Sequence, residues 1–108
     1  MKTLNEALDE FIQSILDTPE YKEYQEEKAK IRQWPELKER IDEFRQRNFE
    51  LQQIKDQNRF LEEMERFERE FEDFTSDSRV HEFLKKELSF CRMMQEINRK
   101  VTENLDFE

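Results

Sequence analysis

The chain has no glycine, two prolines, one cysteine and one histidine among its 108 residues. Without glycine it cannot form the glycine-rich loops that bind phosphate, so P-loop and Rossmann nucleotide sites are excluded. The scarcity of turn-forming residues also excludes most turn-rich β architectures. A single cysteine has no partner for an intrachain disulfide, and we expect the protein to be cytoplasmic.

Charged residues are abundant, and acidic ones prevail. They make up 44% of the chain against 34% hydrophobic residues, and the formal net charge is −9 at pH 7. A negative chain is poorly suited to contact phosphate backbones or anionic lipid, so we expect no direct nucleic-acid binding and no attachment to a membrane surface. No apolar run approaches the roughly 20 residues needed to cross a bilayer.

The remaining composition, rich in Glu, Lys, Arg, Leu and Gln, is typical of long helices. We predict an all-α fold, an antiparallel bundle of four to five helices, in one domain over residues 1–108. Residues 1–34 are expected to form an N-terminal helical hairpin. Residues 35–75 are expected to form a long or kinked central helix, and residues 79–105 a long C-terminal helix.

Capping residues mark where the first helices should begin. Thr3 and Glu6 have the spacing of a capping box, and Thr18 followed by Pro19 suits a second helix start. Pro35 interrupts the chain again, because proline disfavours helix at the preceding residue and suits the first position of the next helix. The pattern therefore predicts three helix starts in the first third of the chain.

Two apolar stripes in the central segment lie on different sides of a helix. At about 100° per residue they are about 150° apart, whereas supercoiling drifts only about 20° per heptad. Either the helix breaks near residues 55–58, which the geometry favours, or one rod shows opposite faces to two partners. The first stripe contains Leu37, Ile41, Phe44 and Leu51, and the second contains Phe60, Met64, Phe67, Phe71 and Phe74.

Residues 62–73 carry seven acidic and two basic side chains. We interpret them as a solvated face opposite the phenylalanines, with a docking surface for a basic partner as the alternative. Residues 75–78, "TSDS", are small and polar and predict a loop before the final helix.

The single histidine and the single cysteine are too far apart to share a metal ion within one helix. His81 and Cys91 are ten residues apart, or roughly 15 Å along the axis. Neither the CxxC nor the HExxH spacing of zinc sites occurs. We predict that His81 is solvated and that Cys91 is buried and inert. Because one histidine cannot complete a catalytic set here, we predict a protein that is not an enzyme and has no metal and no cofactor.

Glu87 is the one acidic residue that lies among the apolar residues of the final helix. It either lies at the rim of the apolar surface or pairs with an Arg or Lys of a neighbouring helix. The alternative is that Glu87 and Cys91 face a dimer seam and bind a metal or a small ligand there.

The final helix has more apolar surface than an outer helix of a bundle needs. Its apolar residues cover an arc of roughly 220°, where a stripe of about 100° or somewhat more is enough. Because large exposed apolar patches usually mark interfaces, we predict a two-fold homodimer. Leu84, Leu88 and Cys91 are assigned to the internal core, and Phe90 and Met93 to the partner. The predicted oligomer interface contains Phe83, Phe90, Met93, Met94, Ile97 and Val101.

The segment "DSRVHEFLKKELSFCRMMQEINRKV" (77–101) resembles the closing segment of the YlbF/YmcA family of small bacterial helical regulators. Residues 16–45 are similar to the opening of that family, with a "TPEY" start followed by a "PEL…I..F" helix. Relatives usually have a glycine-containing connection where this chain has "KDQNRF".

The resemblance implies an all-helical regulator of competence and biofilm development. It implies protein partners: further copies of the chain, sister family members and ribonuclease Y, which processes messenger RNA. Some complexes of the family carry iron–sulfur clusters held by cysteines, but Cys91 alone cannot hold one.

Overall fold

A computed structural model describes residues 1–105, which contain six helices and no strand. The predicted all-α class is confirmed. The predicted number of four to five helices is too low, because the chain turns at Phe71 and separates a five-residue helix from the one before it. The helices are α1 (Leu4–Leu16), α2 (Pro19–Ile31), α3 (Pro35–Gln52), α4 (Gln57–Glu70), α5 (Glu72–Ser76) and α6 (Ser78–Asn104).

The first helices begin at the predicted capping residues. Thr3 Oγ1 accepts a hydrogen bond from the backbone N–H of Glu6 at 3.1 Å, and Thr18 Oγ1 accepts one from Tyr21 at 3.2 Å. The two prolines are the first residues of α2 and α3. Each proline occupies a position whose N–H would have no partner within the helix, so the interruption costs no hydrogen bond.

The central segment is not one long helix. α3 ends at Gln52, and α4 begins at Gln57 after a short loop. The carboxylate of Asp56 caps α4 by accepting hydrogen bonds from the backbone N–H groups of Asn58 at 3.0 Å and Arg59 at 3.4 Å. Of the two alternatives for the two apolar stripes, the break is the one observed. It lies at residues 53–56 and places the stripes on separate helices.

Residues 75–78, predicted to form a loop, are mostly helical. Thr75 and Ser76 complete α5, and their hydroxyl groups donate hydrogen bonds to backbone carbonyls of the same helix. Only Asp77 lies between α5 and α6. Its carboxylate accepts a 2.9 Å hydrogen bond from the backbone N–H of Arg79 and so caps α6. The loop prediction was wrong because small polar residues can bond to a helical backbone as well as to a turn.

The chain divides into two compact units. Among the described residues, the first contains residues 1–29 and 83–105, and the second contains residues 30–82. In the first unit α2 runs antiparallel to the first half of α6, because Tyr24 contacts Glu87 while Tyr21 contacts Phe90. The prediction of one domain over residues 1–108 stays a prediction.

The second unit has a core of aromatic rings. The ring of Phe44 in α3 lies 5.2 Å from Phe67, 5.4 Å from Phe71 and 5.1 Å from Phe74. Phe71 is only 1% exposed, and the guanidinium of Arg40 lies 4.1 Å from its ring centroid. Burying such a ring contributes about 1.5–3 kcal/mol, so this cluster holds α3 against α4 and α5.

Candidate interaction surfaces

Two tyrosines of α2 cover the first half of α6. Tyr24 stacks on Phe90 with ring centroids 5.5 Å apart and lies 6.0 Å from Phe83. Tyr21 meets Phe90 edge-on at 5.7 Å. Phe83 is 5% exposed and Phe90 is half-buried, so both pack within their own chain.

Glu87 lies on this covered side and bonds to the neighbouring helix. Its Oε2 accepts a 3.2 Å hydrogen bond from the hydroxyl of Tyr24. The hydroxyl of Tyr24 is thus one partner of Glu87 on the neighbouring helix, and the expected pairing with an Arg or a Lys stays a prediction. One residue earlier on each helix, Lys86 pairs with Glu23 at 3.4 Å, which adds a second polar link between α2 and α6.

The assignment of Leu88 and Cys91 to the internal core is wrong. The side chain of Leu88 is exposed, and so is the free thiol of Cys91. At about 100° per residue they are rotated by about 140° and 80° from Phe83, the residue that α2 covers. The apolar arc of α6 is wide enough to pack on either side, and the tyrosines of α2 select the side of Phe83. Leu84, the third residue of that assignment, is half-buried.

The second half of α6 keeps an apolar side in contact with solvent. Val101 follows Phe83 by eighteen residues, or about five helical turns, and so points to the same side. Yet Val101 is 48% exposed. α2 spans only about 20 Å, whereas α6 spans about 40 Å, so α2 cannot cover the full length of α6. Three exposed residues on this side form what we call the α6 end stripe: Met94, Val101 and Leu105.

Of the six residues of the predicted interface, two thus belong to the α6 end stripe. Met94 and Val101 are exposed, while Met93 and Ile97 are half-buried. The interface itself stays a prediction.

The apolar side of α1 is exposed to solvent, which the sequence did not predict. The helix is amphipathic, yet it contains no buried residue. Its periodicity predicts the helix correctly but cannot say whether the apolar side is covered. Five residues, each at least 36% exposed, form what we call the α1 stripe: Leu4, Leu8, Phe11, Ile12 and Leu16.

The acidic segment of the second unit lies on its surface. Of the acids in residues 62–73, Glu63 is half-buried and the others are exposed. Glu70 pairs with Arg47 at 2.8 Å, and this hydrogen bond raises the pKa of the Arg47 guanidinium. The placement fits the interpretation as a solvated face and leaves a basic partner as the alternative.

A surface cleft of about 580 Å³ lies at the start of α3, beside Trp34. The guanidinium of Arg79 lies 4.9 Å from the Trp34 ring and pairs with Asp77 at 2.7 Å. The hydrogen bond from Arg79 holds the pKa of the Asp77 carboxyl below its usual value. Arg40, which also lines the cleft, pairs with Glu43 at 3.0 Å. Both cations therefore already have carboxylate partners.

His81 is exposed, as predicted. Within residues 1–105, no group of three or more His, Cys, Asp and Glu side chains is arranged to hold a metal ion. None of the helices in the described part of the chain combines the length and the apolar character needed to cross a bilayer.

Comparison with known proteins supports the family resemblance. The family model described as "Control of competence regulator ComK, YlbF/YmcA" matches residues 4–106. UPF0342 proteins of Staphylococcus saprophyticus and Staphylococcus epidermidis are each 28% identical over 96 residues, which is 87% of this chain and 84% of theirs. No solved structure matches the chain significantly. The resemblance inferred from the opening and closing segments is thus confirmed.

Proposed function

Because the chain belongs to the YlbF/YmcA family, described as controlling the competence regulator ComK, we propose that it is a non-enzymatic bacterial regulator acting through helix–helix protein contacts. Its partners are further copies of itself, sister members of the family and ribonuclease Y. It works in the cytoplasm and modulates ribonuclease Y-dependent processing of messenger RNA. By changing this processing, it regulates competence or biofilm development.

The observation that carries this proposal is the amount of apolar surface left open. Among residues 1–105, fourteen large apolar side chains are exposed and seven hydrophobic side chains are buried. Single exposed apolar residues are normal on any protein, but the five of the α1 stripe follow one another along one helix. Contiguous apolar surface of this kind is typical of interaction surfaces, which supports a role through protein contacts.

The charge of the chain supports an indirect effect on RNA. With a net charge of −9 and an exposed acidic segment at residues 62–73, the chain repels phosphate. Nucleic-acid binding needs clustered cations that displace counterions from the backbone. A regulator of messenger RNA processing with this surface therefore acts on the processing enzyme or its complex.

The proposal is tested by affinity capture of the tagged chain from its native host, with the tag alone as control. We expect ribonuclease Y or sister family members to be recovered with the chain. Metal analysis of the purified protein provides the second arm. A stoichiometric metal or a coloured protein, recovered without these partners, would favour the alternative of a metal or small ligand bound at a dimer seam.

A further inference from the structure

The second half of α6 has one side that is both open and uncharged. The ring contacts of Tyr21 and Tyr24 with α6 end at Phe90. From Leu88 onward, eight residues at spacings of three and four line one side of the helix, and we call them the α6 seam. All of them are exposed except Thr102, which is half-buried. The α6 seam contains Leu88, Cys91, Met94, Gln95, Asn98, Val101, Thr102 and Leu105.

The α6 seam contains no charged residue, in a chain of which 44% is charged. At about 100° per residue, its members lie within about 80° of Asn98 around the helix, and every charged residue between Leu88 and Leu105 lies at least about 100° away. A second copy of the seam can therefore pack on it without bringing like charges together or removing a charge from water. The charged residues are Arg92, Glu96, Arg99, Lys100 and Glu103.

Asn98 lies at the centre of the seam, seven residues from both Cys91 and Leu105. Its backbone carbonyl accepts a hydrogen bond from Thr102, but within residues 1–105 its side-chain amide forms none. A buried amide needs partners for its N–H groups and its oxygen. An apolar surface would leave the amide unpaired, whereas a second Asn98 placed opposite supplies both a donor and an acceptor. The seam is therefore complementary to itself.

Glu87 selects the orientation of two such helices. It lies in line with the seam, about 20° from Asn98, and is bonded to Tyr24. A parallel pair would place Glu87 against its own copy, which brings two carboxylates together. An antiparallel pair with its axis at Asn98 overlaps only the second halves of the two helices. Cys91 then lies opposite Leu105 of the second copy, and α2 keeps its place on the first half.

We propose that two copies of the chain pair through the α6 seam, antiparallel and about a two-fold axis at which Asn98 meets Asn98 of the second copy. The inference rests on the proposed function, because it names the surface of the self-contact in that proposal. A standard interface uses about 20–30 residues on each partner, and the seam offers eight. The dimer is therefore weak, and we expect half of the chains to be paired at about 100 µM.

The first test is cross-linking with a short bifunctional thiol reagent. Asn98→Cys in a Cys91→Ala background should cross-link two copies, because the new thiols meet at the axis. Leu105→Cys with the native Cys91 should do the same. The wild type should stay uncross-linked, since its two thiols lie about 20 Å apart along the helices. The matched control is Ser89→Cys in the Cys91→Ala background, which places a thiol on the opposite side of α6.

The second test is the dissociation constant of the dimer, measured by sedimentation equilibrium. Asn98→Asp keeps the size of the side chain but places two carboxylates at the axis, so it should weaken association about tenfold or more. Met94→Glu with Val101→Glu should abolish association and leave the helical circular dichroism unchanged, because both residues are exposed. The matched control is Phe49→Glu with Leu61→Glu, which changes two exposed apolar residues of the second unit and should associate normally.

A wild type that stays monomeric at about 1 mM would overturn the inference. So would association that Asn98→Asp and Met94→Glu with Val101→Glu leave unchanged, or cross-linking through the native Cys91 alone. A monomeric chain that captures a sister regulator through the α6 seam would contradict only the self-contact. The proposed function fails separately, if the dimer forms as described but the chain captures neither ribonuclease Y nor a sister regulator.

Discussion

The hydroxyl of Tyr24 donates a 3.2 Å hydrogen bond to Glu87, and the two residues are 63 positions apart in sequence. This bond, with the stacking of the Tyr24 ring on Phe90 at 5.5 Å, fixes which side of α6 is covered by α2. The side of Cys91 is consequently left in solvent. Together with Tyr21, which meets Phe90 edge-on, Tyr24 thus decides which apolar residues of α6 are covered and which are surface.

Replacing Tyr24 with phenylalanine should lower the free energy of unfolding by about 1 kcal/mol, because the ring contacts remain and the hydrogen bond to Glu87 is lost. Tyr24→Ala should cost clearly more, since the rings then lose their contacts as well. Urea unfolding measures both. Tyr21→Phe is the matched control and should be nearly neutral. If Tyr24→Phe and Tyr21→Phe lowered the free energy of unfolding equally, the hydrogen bond from Tyr24 to Glu87 would contribute no stability of its own.

Phe71→Ala should destabilise the protein by about 3–5 kcal/mol, because the ring is buried against Phe44, Phe67 and Phe74. The matched control is Phe49→Ala, whose side chain is 59% exposed and should cost less than about 0.5 kcal/mol. Thermal unfolding followed by circular dichroism separates the two. Comparable losses would mean that the aromatic cluster is not the core of the second unit.

Asp77→Ala should cost about 1 kcal/mol, because the carboxylate caps α6 through the backbone N–H of Arg79. Asp77→Asn keeps a capping oxygen and should cost less. The hydrogen bond from Arg79 lowers the pKa of Asp77 in the folded state, so the charged form contributes stability above the unfolded pKa of about 3.9. That contribution is lost as the pH falls through the lower folded pKa.

The melting temperatures of the wild type and Asp77→Asn, compared at pH 7 and at progressively lower pH, test this linkage. The difference between the two proteins should shrink at acid pH. A difference that stays constant with pH would show that only the cap, and not the charge, is stabilising.

The thiol of Cys91 should react with a disulfide reagent in dilute native protein, because it is exposed. Cys91→Ala should change the free energy of unfolding by no more than about 0.5 kcal/mol, since no buried volume is removed. A thiol that reacts only after denaturant is added would restore the assignment to the core that the sequence first suggested.

The sequence predicted features that depend on neighbouring residues. Thr3, Thr18 and the two prolines located the helix starts because caps act within one turn. The separation of the two central stripes favoured the break, since helix geometry cannot bring them to one side. The residues "TSDS" predicted a loop wrongly, because their hydroxyl groups form hydrogen bonds with the backbone of a helix as well as with that of a turn.

Features that depend on distant residues could not be predicted in the same way. Whether Phe83 or Cys91 faces α2 depends on tyrosines some 60 positions away, and a helix with a wide apolar arc accepts either side. The α1 stripe shows the same limit. The spacing of its apolar residues predicts an amphipathic helix. Whether that apolar side is exposed depends on whether a helix from elsewhere in the chain packs on it.

The most direct test of the regulatory role is the processing of ribonuclease Y substrates in the native host. Transcript cleavage should be measured after deletion of the gene and again after its restoration. The account predicts that deletion changes cleavage of these transcripts and that the wild-type chain restores it. Unchanged transcripts in the deletion strain, together with normal competence and biofilm formation, would contradict it.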